Sequence, residues 1–230
     1  MPRPPDLLGK IVDKLSAQEV ADGLLAADQN ARRLLDDAEL LLREKRFASS
    51  LALSILSIEE SGKKYVLRRI ALVQDQKQLK EYWRDFRSHR AKNSIWILPK
   101  LVMEGARTLL DLGPALDKSG DHTAELDSLK QIAIYTDFLG KRNWSKPIEV
   151  IDQKTAEGMM KIARVSLGAR EVSVREVELW MEVVGPHIDT PEMGSAVLAY
   201  QQQLVDEGLS DISPTDLAGF MEGLVDKPSN

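Results

Sequence analysis

Arg84 and His89 stand four intervening residues apart, with Asp85 directly after the arginine, in the stretch EYWRDFRSHRAKN (81–93). An imidazole exchanges protons near neutral pH, and a guanidinium grips a phosphate or carboxylate through two parallel hydrogen bonds. On a helix Asp85 and His89 are four apart and share a face, so the carboxylate would fix the imidazole tautomer and support its cation. Arg84 would lie about 140° round the same helix, so the two side chains cannot converge on one ligand while that helix is straight. Either the helix is broken between them, or a second subunit completes the site. Taken alone the spacing is weak evidence, because a chain with three His and fifteen Arg produces it readily by chance.

The surroundings add charge. From Lys63 to Arg107 there are twelve Lys or Arg against four Asp or Glu, in a chain whose net charge is -5. Clustered cations concentrate anionic partners, although a solvated helix face has the same composition. The chain contains no cysteine, which excludes disulfides, thiolate nucleophiles and Cys-ligated metals. The opening MPRPPDLLGK lacks the apolar core of a signal peptide, and SIWILPKLVM is too short and interrupted to span a bilayer. The expectation is a soluble cytoplasmic protein with no membrane partner.

The elements that must position these residues are helical. With 230 residues and 43% hydrophobic content, the chain can bury a core as one large domain or two small ones. Alternating strand-like runs with hairpin turn signals are missing, so the fold class is all-α. Ser16 to Glu19 has the Ser-x-x-Glu form of a capping box and should open the first helix. In the following segment Ala31, Leu34, Leu35, Ala38, Leu41 and Leu42 recur at three- and four-residue steps as one apolar face. Residues 47–73 read as a long helix, buried in its first half and charged in its second, with Gly62 marking close packing or a kink. Another helix should run from about Lys77 past His89, with Pro99 interrupting or redirecting it. Residues 113–121 and 140–147 read as loops, and amphipathic segments continue after 150. The expected division is a helical core over 1–150 and an extension packed on it over 151–230.

Several blocks carry a family resemblance. RDFRSH resembles the Arg-polar-x3-His motif of the HEPN superfamily. NARRLLDDAELLLREKRFASSLALSILSIEESGK, with its Glu-Glu-x-Gly-Lys ending, resembles the opening of the AbiV family of abortive-infection proteins. FRSHRAK resembles that family's His-x-x-Lys segment, and LKQIAIYTDFLGKRNWSKP its Lys-Gln-x-x-x-Tyr-x-Asp block. Four blocks in order, over residues 30 to about 147, are far more specific than the Arg-x4-His pair.

The resemblance implies a HEPN-like antiparallel bundle and an anti-phage effector, a metal-independent endoribonuclease that arrests translation or growth on infection. It implies RNA as target, a homodimer whose two motifs form one site, a phage-encoded activator protein as a further partner, and no cofactor. In that reading His89 transfers protons, Asp85 orients it and Arg84 braces the phosphate, with Arg87, Arg90 and Lys92 adding charge for RNA. The alternative is a non-catalytic helical module that binds a host or phage protein. A third reading makes Glu59 and Glu60 metal ligands, but a di-metal bundle calls for Glu-x-x-His motifs, and none occurs. Supporting roles suit them better: Glu59 and Lys63 form an i,i+4 pair, and Glu60 can hold a cation of the basic helix. Tyr135 and Asp137 are expected to fix a helix end against the core, His122 and His187 to lie at the surface, and the four Trp to anchor core or interface.

Overall fold

The structure is a computed structural model that describes residues 13–92, 94–97, 101, 120–139, 143–167 and 171–221. Pro99, most of the 113–121 loop and the side chain of Arg90 lie outside the described residues. The fold is all-α, as the helical periodicity requires.

Helix α1 (Ala17–Arg43) opens on the expected capping box: Ser16 Oγ accepts from the Glu19 backbone N–H, and Glu19 Oε2 accepts from Ser16 N at 2.8 Å. It returns through Lys45, whose φ of 58° turns the chain, into α2 (Phe47–Leu72). These two helices pack closely because their interface is lined with small residues. Ser50 and Ser57 are buried there and donate to the Ala38 and Ala31 carbonyls at 2.8 and 2.7 Å, which satisfies both hydroxyls across the interface.

The central cluster joins Ala31 and Leu35 of α1 with Leu51, Ile55 and Ile58 of α2. Leu126 and Ala133 of α5 (Asp121–Ile134) and Ala156, Met159 and Ala163 of α7 (Gln153–Leu167) complete it. A second group of helices covers the other end of α1 and α2. Helix α8 (Val174–Leu179) continues as a π-helical turn over Trp180–Val184, and α9 (Met193–Asp206) and α10 (Pro214–Phe220) follow. Val177 packs with Val20, Leu24 and Leu67, while Leu179, Val184 and Tyr200 pack with Leu72. Helix α10 starts with Ser213 as N-cap and Pro214 at the first helical position.

Two expectations need correction. The helix expected from Lys77 past His89 is two pieces, α3 (Gln76–Arg87) and α4 (His89–Lys92), separated at Ser88, whose φ of -83° and ψ of 126° are extended. The stretch expected as a loop over 140–147 contains a strand: β1 (Asp137–Leu139) pairs antiparallel with β2 (Asn143–Ser145), and α6 (Pro147–Val150) follows. Strands of three residues are too short to show alternation, which is why no periodicity announced them.

Candidate active site

Glu59 lies on α2 with only 2% of its surface exposed. Burying a carboxylate is costly unless opposite charge and hydrogen bonds accompany it. Both are supplied. Lys130 of α5, itself buried, brings its Nζ to 2.6 Å from Glu59 Oε1 and to 3.0 Å from Asp127 Oδ1. His89 brings its Nδ1 to 2.6 Å from Glu59 Oε2. Burial alone would lower the Lys130 pKa, but the hydrogen bonds to Glu59 and Asp127 outweigh it, and the net direction is upward.

The break at Ser88 makes this arrangement possible. Ser88 ends α3 by donating its N–H to the Asp85 carbonyl at 2.9 Å, and α4 then lies directly on α2. The approach is so close that a Cβ on Gly62 would fall 2.0 Å from the Lys92 carbonyl oxygen. Gly62 therefore marks the close packing point that the sequence suggested.

Several site residues take other places than expected. The carboxylate at His89 Nδ1 is that of Glu59, not of Asp85, because the extended Ser88 removes the straight helix on which Asp85 and His89 would share a face. Lys92, expected to meet RNA, is 6% exposed; burial lowers its pKa, with Glu59 pulling the other way and Lys63 adding to the fall. Lys63 pairs with Glu60 at 2.7 Å rather than with Glu59, and its ammonium lies 5.2 Å from the Phe86 ring centre. Arg87 stacks over Trp83 at 5.4 Å from the ring centre. Arg84 is exposed and makes no hydrogen bond or ion pair among the described residues. Tyr135 is exposed and not fixed against the core, and Trp144 is 67% exposed, outside the core.

Among the described residues, three cations of the basic run are engaged away from the Glu59–His89 cluster. Lys64 turns to Asp28 on α1 at 2.8 Å and to the Leu167 carbonyl, and Arg68 lies over the Trp180 ring. Arg69 donates to Tyr82 Oη at 2.7 Å.

A family model described as AbiV, of the HEPN group, matches residues 19–168. The chain belongs to the AbiV family. No curated protein and no solved structure gives a significant match. The family assignment carries an abortive-infection, HEPN-type role. It also lends meaning to the geometry, because the blocks that resembled AbiV from sequence meet at one point. Glu59 and Gly62 come from the first, His89 and Lys92 from the second, and Lys130 from the third.

Lys130 was missed from sequence, and a signal was present. Thr123, Leu126, Lys130 and Ala133 form the buried stripe of α5, so a lysine occupies a core position. On α2, Glu59 interrupts the buried stripe Ile55, Glu59, Gly62, Val66. Opposite charges at core positions of two helices call for one another.

Chemically, a carboxylate at Nδ1 requires the proton there, so the neutral imidazole carries its lone pair on Nε2. The His89 side chain is 58% exposed, leaving the ring open to a ligand. Both Glu59 oxygens are engaged by Lys130 and His89, and Glu60 is engaged by Lys63, which leaves neither carboxylate disposed to bind a cation. Among the described residues no helix is long and apolar enough to cross a membrane.

Proposed function

We propose that this AbiV-family chain is a metal-independent endoribonuclease whose proton-transfer group is His89, acting in the cytoplasm to arrest translation or growth on infection. The observation that carries the reading is the half-exposed imidazole held by a buried carboxylate that Lys130 holds in turn. In the reaction Nε2 of His89 takes the proton of a ribose 2′-OH, and the 2′ oxygen forms a bond to the adjacent phosphorus. The bond from phosphorus to the 5′ oxygen breaks, leaving a 2′,3′-cyclic phosphate and a 5′ oxygen that must receive a proton. A second imidazole, in its protonated form, is the natural donor. A homodimer supplies it, and isologous pairing is the commonest assembly. Arg84, exposed and uncommitted, suits the charge that develops on the phosphate. A phage-encoded protein as activator fits an effector that must stay silent before infection.

His89→Ala is expected to reduce cleavage by about 10²–10⁴-fold with fold and assembly intact. Sequencing RNA ends after induced expression should reveal cyclic phosphates, and cleavage should survive EDTA. Unchanged growth arrest in His89→Ala would sink the reading. It would favour the second one, a non-catalytic module that binds a host or phage protein, which the engagement of Lys64, Arg68 and Arg69 elsewhere supports.

A further inference from the structure

The second copy needs a surface, and helix α3 does not offer one. Its aromatic residues Tyr82, Trp83 and Phe86 pack against Val66, Ile70 and Leu79 of the same subunit. Trp83 also donates its indole N–H to the Asp13 carbonyl at 3.2 Å. The uncovered apolar area lies elsewhere, at the end of α5 and on the hairpin that follows. Ile134, Tyr135, Phe138, Trp144, Ile148 and Val150 are exposed by 44, 58, 53, 67, 84 and 48% within seventeen residues of chain.

These side chains gather around the hairpin, between the end of α5 and α6. Phe138 and Trp144 are cross-strand partners, with ring centres 5.4 Å apart in an edge-to-face contact. Ile134 and Ile148 line one cleft beside Phe47, and Tyr135 lines an adjacent one with Ser145. Large side chains present roughly 150–250 Å² each when fully open, so these exposures leave on the order of 600 Å² uncovered. Monomeric proteins rarely expose a contiguous apolar patch of more than a few hundred Å². A specific interface buries about 800 Å² on each partner. The hairpin itself is two strands of three residues, a unit that is marginal by itself. Other mostly exposed large apolar side chains among the described residues offer less: Leu40 and Val165 flank the Glu39–Arg164 ion pair, and Ile212 stands apart.

We propose that this hairpin surface is where a second copy of the chain docks, the two hairpins meeting across a two-fold axis. The inference names the interface of the dimer in the ribonuclease reading and rests on that reading for its purpose, though not for its test. The surface begins at Ile134, one helical turn from Lys130, or about 6 Å along α5, so an interface there adjoins the His89 cluster. Polar groups at its edge suit self-pairing: Lys146 and Glu149, 2.8 Å apart within one chain, offer opposite charges to a symmetric mate. Single-stranded RNA stacking on Trp144 is the other occupant, and the test separates the two.

The test needs no RNA. Sedimentation at micromolar concentration should give a dimer, and Trp144→Asp and Ile148→Asp should each weaken it by on the order of 100-fold, with far-UV circular dichroism unchanged. The chain has no cysteine, so Trp144→Cys offers a second measurement that adds no charge to the surface. On oxidation it should cross-link to a dimer, while Val165→Cys should not. A wild-type monomer, or a dimer that both aspartate variants leave intact and Trp144→Cys fails to cross-link, overturns the proposal. So does a monomer whose Trp144 emission responds to oligouridylate, which would assign the surface to RNA. A hairpin-dependent dimer that cuts no RNA supports the interface and sinks the ribonuclease reading alone.

Discussion

Helices α2 and α3 flank the same histidine and are built on opposite terms. Along α2 most residues are buried, Glu59 among them, and Ser50, Ser57 and Glu59 are matched to partners on α1, α4 and α5. Helix α3 buries only Leu79, and its Arg84 faces solvent. The group that orients His89 is therefore determined by packing from several sides, whereas the cation that would meet a ligand is held by its own helix alone. Stability and function should separate along this line, and substitutions on either side of it test the separation.

The largest effect is expected at Lys130. Lys130→Met leaves Glu59 buried without its main counter-charge and should lower the unfolding free energy by about 3–5 kcal/mol, read from urea denaturation. Combining it with Glu59→Leu should restore a substantial part, since buried pairs replaced together by apolar residues are often neutral. Additive losses would mean that the two groups do not interact as their 2.6 Å contact implies.

Gly62→Ala comes next. The added methyl meets backbone, the Lys92 carbonyl, and not the yielding end of a side chain. Overpacking of this kind costs about 1–3 kcal/mol, and here it should act by lifting α4 from α2. Hydrogen exchange at Lys92 N–H would report that displacement, and unaltered protection with unaltered stability would refute the close approach.

How much of this was legible in advance depended on what kind of signal each feature leaves. Capping at Ser16 is local chemistry, so it could be read residue by residue. The stripes of α1 are periodic and equally plain. The partner of His89 was not, because the choice between Asp85 and Glu59 is decided by one extended residue, Ser88, that no breaker marks. Lys92 looked like a surface cation for the same reason: in an unbroken helix nothing would press it against Gly62. The hairpin left no pattern at all, yet its aromatic residues Phe138 and Trp144 are both more than half exposed.

The two buried lysines should respond oppositely to alkali. Burial holds the Lys92 ammonium below its ordinary 10.5, so the unfolded chain binds that proton more strongly. The resulting cost is present below the lowered value and relieved as the pH rises toward 10.5. Lys130 is raised above 10.5, and its contribution is full below that value and lost as the pH rises through the higher one. Lys92→Met should accordingly be neutral or stabilising near pH 7 and should flatten the rise in stability below pH 10.5. Thermal unfolding from about pH 8 upward checks this, and a loss as large as that of Lys130→Met would contradict it.

The smallest effect on stability belongs to Arg84. Its side chain is exposed on a helix that buries little, and it has no hydrogen-bond or ion-pair partner among the described residues. Arg84→Ala removes no packing and introduces a better helix former, so unfolding should shift by no more than about 0.5 kcal/mol. If the guanidinium stabilises charge on a reacting phosphate, the same change should lower cleavage by about 10²–10³-fold, as removal of a donor from an oxyanion site does. Arg84→Lys should restore little, because an ammonium cannot reproduce the two-pronged grip. A stable Arg84→Ala protein with full cleavage would remove α3 from the chemistry and leave the Glu59–His89 pair to act without it.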